Sequence, residues 1–386
     1  MRILQFGRFL TEQNGGVERH VHDLCMSLSQ SGQSVTNLVS WTGPGVRETI
    51  ADGLTTVACQ RLAMLNSTAI APSLIRQAMA RHQTRPFDVF HLHFPDPLTH
   101  LASLCLPRNV PRVITWHSDI VRQKHWLGLY RPFLQAELRR AHALVAATPV
   151  HFLASRLIPQ DIPDERKHVI AFGVDARRLT LNDHSEALRQ SLRARAGTRP
   201  LVFALGRHVP YKGFDVLIEA MRQTQALLFL GGDGPLTPAL SEQVLACGLQ
   251  DRVVLTGAIP EAELAAYFHA CDFFVLPSVE SNEALGLVQL EAMCCGKPVI
   301  CTQLGTGVND LNIEGVTGLT VEPRNAMALA AAMRQLSEDP GLRERLGTQA
   351  RSHALSVGQT SFMAQQHVAL YEQVIRQSRA APSTER

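Results

Sequence analysis

The sequence predicts an α/β protein made of two doubly wound, Rossmann-like domains facing a central cleft. Three observations lead there. Short apolar runs alternate with amphipathic stretches along most of the chain. The alternation breaks near Gly173-Val174-Asp175 and restarts at Leu201. The length of 386 residues suits two domains of ordinary size. At 45% hydrophobic and 18% charged residues, there is enough apolar material for a core in each. A formal net charge of +3 is too small to point to a nucleic acid.

In chain order, apolar runs predict strands at 3–6, 34–39, 89–93, 112–115 and 143–147. Between them, amphipathic spacing predicts helices at 17–30, 71–81 and 130–140. Strand–helix alternation of this kind makes a parallel sheet covered on both faces. The polar stretch 176–199 reads as a linker with a surface helix. A second alternating unit has strands at 201–205, 227–230, 253–255, 273–276 and 299–301. The domains are therefore placed at 1–172 and 173–359. The tail 360–377 carries helical spacing at Phe362, His367, Leu370, Val374 and Ile375, and 380–386 reads as frayed. No apolar run is long enough to cross a bilayer, and Met1 to Phe6 reads as a strand, not as a signal peptide. The eight cysteines (Cys25, Cys59, Cys105, Cys247, Cys271, Cys294, Cys295 and Cys301) form no C-x-x-C pair. They read as reduced thiols of a cytoplasmic protein. Asn66-Ser67-Thr68 is a glycosylation sequon without a secretory context.

The richest stretch is 278–298, in which Glu283 and Glu291 stand eight positions apart. It follows the apolar run 272–277, closed by Pro277. Ser281, Asn282 and Glu283 supply cap and first-turn chemistry for a helix that Gly296 and Pro298 end. A helix N-terminus suits a phosphate. Eight residues at helical rise span about 12 Å, the reach from a sugar to a ribose across a diphosphate. Arg207 and Lys212 leave the strand 201–205, one a planar fork and the other a mobile point charge for phosphate oxygens. Gly15-Gly16, between a strand and a helix, lets backbone approach a ligand closely. No Asp-X-Asp motif stands beside a predicted strand end, so leaving-group charge falls to fixed cations and helix dipoles. His91 and His93 alternate on one strand; with no third ligand evident, packing is favoured over a metal pair.

These motifs, in this order, resemble family 4 of the retaining glycosyltransferases, which have the GT-B fold. The matching segments are Gly15-Gly16-Val17-Glu18, Thr115-Trp116-His117-Ser118, Gly173-Val174-Asp175, Gly206 to Gly213, Gly231-Gly232-Asp233-Gly234-Pro235 and Glu283-X7-Glu291. They cover about residues 1–325. The resemblance implies that Arg207 and Lys212 bind the donor diphosphate and that Glu291 accepts the ribose hydroxyls. Glu283 would hold the transferred sugar, and backbone N–H groups of Ala284, Leu285, Gly286 and Leu287 would meet the sugar and distal phosphate. Gly231 and Gly232 would approach the nucleotide, whose base is received near Gly257 to Pro260. His117 would contact the sugar in a positioning and electrostatic role, and Asp119 would hold the acceptor hydroxyl. One departure is Leu285, where the family usually has an aromatic residue. The last helix, about 360–379, would cross back onto the first domain.

Within the family, the run from His117 to Lys124 is similar to bacterial O-antigen enzymes that transfer mannose or D-rhamnose from GDP-sugars. The expectation is a metal-independent hexosyltransferase needing no cofactor. It would act on a lipid-linked glycan acceptor, carried on a polyprenyl diphosphate, at the cytoplasmic face of the plasma membrane. The basic amphipathic segment 121–140 admits two readings, packing of its apolar side on the sheet or contact with the membrane. Competing functions are a UDP-sugar-dependent transferase, a sugar-nucleotide epimerase and a non-catalytic partner in polysaccharide assembly.

Overall fold

The structure, a computed structural model, describes residues 1–10, 15–65, 68–119 and 124–380. Residues 66–67 of the sequon, 120–123 of the segment after His117, and 381–386 of the tail lie outside the described residues. The chain divides into two units, Met1–Gly173 with the segment from Thr360 onward, and Val174–Gln359.

Among the described residues, ten strands belong to the first unit. They are β1 (Arg2–Phe9), β2 (Ser34–Trp41), β3 (Val46–Ala51), β4 (Leu54–Gln60), β5 (Ala63–Leu65), β6 (Thr68–Ile70), β7 (Val89–Phe94), β8 (Arg112–Trp116), β9 (Ala143–Ala146) and β10 (Lys167–Val169). Eight of them form one sheet in the order β10-β9-β8-β7-β1-β2-β4-β3. β7, β8 and β9 are buried along their whole length, as strands covered on both faces are. Alternate residues feed two cores. Leu4, Phe6, Phe90 and Ile114 face one side of the sheet, while Ile3, Val89, Val113 and Val145 face the other. The helix Thr360–Ala380 seals the second face: Met363, Leu370, Tyr371 and Val374 join its core, and Ser27 Oγ donates to the Thr360 carbonyl at 3.0 Å.

The antiparallel pair β3–β4 was absent from the sequence prediction. Its turn is Asp52-Gly53, with φ of 49° and 80°. Positive φ at both central residues is the two-residue hairpin geometry that Asp-Gly favours. β3 is exposed throughout, so it carried no apolar signal; Arg47 and Glu48 protect it as an edge.

In the second unit all six strands are parallel. They are β11 (Leu201–Leu205), β12 (Leu227–Gly231), β13 (Val253–Gly257), β14 (Phe273–Leu276), β15 (Val299–Thr302) and β16 (Gly318–Val321). Their order is β13-β12-β11-β14-β15-β16. The winding direction reverses between β11 and β14, and in such sheets ligands collect outside the carboxyl ends of the strands at that reversal. The stretch read as linker holds a 3-10 turn, Ala176–Leu179, and a helix, Asp183–Ala196, capped by Asn182 and Ser185. Among the described residues, no helix is long and apolar enough to cross a membrane.

Part of the segment 121–140 packs inward, on the helix Lys124–Arg140. Leu134 and Leu138 are in the core, and Tyr130 OH bonds His100 Nδ1 at 2.8 Å. Phe133 stays 60% exposed.

Candidate active site

The second unit assembles its site from three loops that follow β11, β12 and β14. Glycine makes their close approach possible. Gly213 has φ +66, and a Cβ there would lie 2.1 Å from the Pro277 carbonyl oxygen. Gly232 has φ +110, and a Cβ would lie 2.0 Å from the Gly206 oxygen. Neither position tolerates a side chain.

On this frame Lys212 and Glu283 form an ion pair, Nζ to Oε2 at 2.5 Å, with side chains only 11% and 9% exposed. Ser278 Oγ donates to the same carboxylate oxygen at 2.8 Å, and Thr306 Oγ1 donates to the Glu283 carbonyl at 2.8 Å. Burial alone would depress the Lys212 ammonium. The Glu283 charge, Tyr211 and the Glu283 hydrogen bond outweigh it and raise the pKa, so the cation is fully charged at neutral pH. Arg207 is exposed, and its guanidinium makes no ion pair or hydrogen bond among the described residues. The reversal point thus carries one buried, carboxylate-paired cation and one cation open to solvent. The sequence reading gave Ser278 and Thr306 no role; Ser278 shares the loop of Glu283, whereas Thr306 comes beside it only when β14 and β15 pair.

The helix predicted to start at Ser281–Glu283 starts later. It runs Leu287–Cys294 with Gly286 as its N-cap in the left-handed region, φ +65. Glu283 is held in a turn by Lys212 and Ser278, and its N–H donates to the Glu280 carbonyl at 3.1 Å. Leu285 is buried at 6% exposure, and Gly286 turns the chain where a Cβ would lie 2.5 Å from Leu276. The two glutamates therefore do not share a helix, and their eight-residue spacing is not a helical 12 Å ruler. The N-terminal N–H groups begin at Leu287, not at Glu283, while Ala284 belongs to the turn.

Glu291, on that helix, accepts from Arg178 Nη2 at 2.8 Å, and Arg178 Nη1 reaches Glu261 at 2.8 Å. Arg178 sits in the 3-10 turn whose start is capped by Asp175, the last residue of the Gly-Val-Asp motif. The sequence reading placed this arginine in a linker and missed it. Gly231 and Gly232 stand at the end of β12, beside Gly206, whose N–H donates to the Gly231 oxygen at 3.1 Å.

The first unit gathers imidazoles at the carboxyl ends of β7 and β8. His117 follows β8, and its Nε2 lies 3.1 Å from His93 Nδ1. His93 Nε2 meets Gln5 Oε1 at 2.9 Å, and Gln5 Nε2 donates to Tyr371 OH at 3.1 Å. Tyr371 OH is 2.6 Å from His91 Nδ1, and His91 Nε2 is 2.7 Å from Thr115 Oγ1. With the Gln5 amide so oriented, one assignment satisfies every link. His117 Nε2–H donates to His93, His93 Nε2–H to Gln5, Gln5 to Tyr371, Tyr371 to His91, and His91 to Thr115. The chain fixes the His117 tautomer and ring plane. Burial, and then the neighbouring His151, hold its pKa down at about 3, so the ring is neutral at pH 7. Burial and the surrounding imidazoles likewise hold His20, His91 and His93 well below the usual histidine range.

His20, from the helix Gly16–Gln30, is the third imidazole that the sequence reading lacked, and it joins His93 and His117 instead of His91. Gly15 caps that helix, and among the described residues nothing beyond the local helix backbone crowds the place a Cβ would take at Gly16. Asp119 is held within the protein. Its Oδ1 accepts from Trp116 Nε1 at 3.2 Å and Ser155 Oγ at 2.7 Å, and its Oδ2 from the Arg156 N–H at 2.9 Å.

Two doubly wound units, one with buried and open cations beside two carboxylates at its sheet reversal, define a sugar transferase of the GT-B type. The sequence comparisons agree. The description "Glycosyl transferases group 1" matches residues 186–353, and "Glycosyltransferase Family 4" matches residues 14–178. The chain belongs to glycosyltransferase family 4. It is 34% identical over 359 residues to the D-rhamnosyltransferase WbpZ of Pseudomonas aeruginosa, covering 91% of each chain. It is 27% identical over 285 residues to O-antigen chain mannosyltransferase C of Escherichia coli, covering 74% of this chain and 75% of that one. In fold it is similar to sucrose-phosphate synthase from Thermosynechococcus elongatus, with a TM-score of 0.81 at 23% identity over 97% of this chain and 99% of that one.

Proposed function

We propose that this enzyme transfers a hexose, mannose or D-rhamnose, from a GDP-sugar to a lipid-linked glycan, with retention and without a metal, during O-antigen-type polysaccharide assembly. The observation that carries the reading is the pairing of Lys212 with Glu283 at the sheet reversal beside the open Arg207. Lys212 and Arg207 supply fixed positive charge where a diphosphate leaves, in place of a metal. Glu283, held by Lys212 and Ser278, presents a preset carboxylate to the sugar hydroxyls. Glu291, oriented by Arg178, accepts the ribose hydroxyls, and the N–H groups from Leu287 meet the distal phosphate.

In the transfer, the bond from the anomeric carbon to the diphosphate oxygen breaks. The acceptor oxygen bonds to that carbon from the same face, and its proton passes to the departing phosphate. With its pKa held down at about 3, the His117 imidazole is a weak base, so it serves to position the sugar and not to remove a proton. An acceptor hydroxyl at Asp119 would have to compete with the three hydrogen bonds already made there. The names of the two relatives support mannose or D-rhamnose, and a lipid-borne acceptor suits a cytoplasmic protein at the membrane's inner face.

Calorimetry with GDP, UDP, ADP and TDP, without added metal, tests this on wild type and Glu291→Ala. Selective GDP binding weakened by Glu291→Ala is expected. Preference for UDP would discard the GDP-sugar, and binding to none would overturn the transferase site. Donor turnover without acceptor, giving an epimerised sugar nucleotide, would replace transfer by isomerisation.

A further inference from the structure

The structure assigns a second site, a tris-imidazole site for a divalent ion of the zinc class, to His20, His93 and His117 in the first unit. One ring nitrogen from each of the three lies within 4.8 Å of the other two. A tetrahedral zinc with bonds of about 2.0 to 2.1 Å needs its ligand nitrogens roughly 3.3 Å apart. His93 Nδ1 and His117 Nε2 already stand at 3.1 Å, so the third ring needs only a modest shift.

The decisive residue is His20. It is 0% exposed, and among the described residues neither of its ring nitrogens has a hydrogen-bond partner. A buried imidazole left unsatisfied at both nitrogens needs an explanation, because polar atoms out of water are nearly always paired. Its ring centroid is 5.1 Å from that of His117 and 5.9 Å from that of His93, so the orphaned ring stands directly at the other two. An ion held by all three would use its unspent lone pair.

The surroundings are already those of a metal ligand. His93 donates from Nε2 to Gln5 Oε1, which leaves the Nδ1 lone pair facing His117; an outer hydrogen bond of this sort sets the tautomer of metal-bound histidine. For His117 to ligate through Nε2, its proton moves to Nδ1. Three imidazoles with no carboxylate or thiolate select zinc, nickel, cobalt or copper over magnesium and calcium. The three ligands all belong to the first unit, whereas Arg207 and Lys212 belong to the second. Occupancy would engage His117 and, resting on the proposed metal-free transfer, it makes zinc an inhibitor.

The experiment is Co²⁺ titration of the untagged, chelator-stripped full chain, read by visible absorption, which does not depend on the transferase reading. We expect one equivalent bound with the strong d–d bands of a low-coordinate nitrogen site and no thiolate charge transfer. His20→Phe and His20→Asn should each weaken binding by at least 10-fold. No such bands, a thiolate band marking one of the cysteines, or bands unchanged in a folded His20 variant would overturn the assignment. X-ray absorption of the wild type loaded with Zn²⁺ covers the case in which neither variant folds: three imidazole ligands uphold the site, and fewer refute it.

Discussion

Acid should unfold the first unit well before ordinary carboxylates titrate. His20, His91, His93, His117 and His367 all belong to that unit and are all buried. Burial holds each below the ordinary value of 6.5, His117 at about 3 and His367 at about 4. The folded state keeps them neutral while the unfolded chain protonates below 6.5. Their stabilisation is therefore present at neutral pH and is lost as pH falls from there toward the folded values. Between pH 7 and 5.5 each imidazole costs about 1 kcal/mol, or about 5 to 6 kcal/mol for five. Asp96 works in the other direction: burial raises its carboxyl to about 7. Its protonation in the folded state returns about 1 to 2 kcal/mol over the same interval. A net loss of about 4 kcal/mol is a large part of a typical domain's stability. All three tryptophans, Trp41, Trp116 and Trp126, lie in the first unit. Urea unfolding followed by tryptophan fluorescence therefore reports that unit alone. Its midpoint should drop steeply between pH 7 and 5.5, and His20→Phe should remove about one proton from the uptake. A fluorescence midpoint that does not move would refute the neutral, buried state of these rings.

Three further outcomes can be checked directly. Lys212→Ala leaves the buried Glu283 carboxylate without its cation and should destabilise the second unit by about 3 to 5 kcal/mol by calorimetric melting. Adding Glu283→Gln should recover part of that loss without restoring transfer. Gly232→Ala forces a side chain into a left-handed position against the Gly206 carbonyl, with strain of about 1 to 3 kcal/mol before the clash is counted; a melting temperature equal to wild type would contradict the loop packing. Tyr371→Phe removes the link between Gln5 and His91, leaving two buried groups short of a partner, and should cost about 1 to 3 kcal/mol in urea titrations.

The parts of the fold visible in the sequence are those whose signal is local. β11 and β14 are apolar runs ended by Gly206 and Pro277, and both strands and the loops carrying Arg207 and Lys212 fall where the pattern places them. Other features depend on packing between distant segments. The helix after β14 starts late because Glu283 is drawn to Lys212, and a caps-only reading cannot see an ion pair across 71 positions. Arg178 lay in a polar stretch with nothing to mark it, yet it orients Glu291 from 113 positions away. His20 belongs to an amphipathic helix pattern, and only the fold brings it to the two histidines of β7 and β8. The β3–β4 hairpin was a different omission, since Asp52-Gly53 is a local signal that went unused.

The crossing of the last helix bears on the order in which the protein is made. The segment Val174–Gln359 is continuous, so it can complete its sheet as soon as it leaves the ribosome. The first unit, although synthesised earlier, must wait for Thr360–Ala380. Until that helix arrives, Ile3, Val89 and Val113 have only the helix Gly16–Gln30 on their face of the sheet, and Gln5 and His91 lack the Tyr371 hydroxyl. The half begun first is finished last, and it passes the whole synthesis of its neighbour with one face only partly covered.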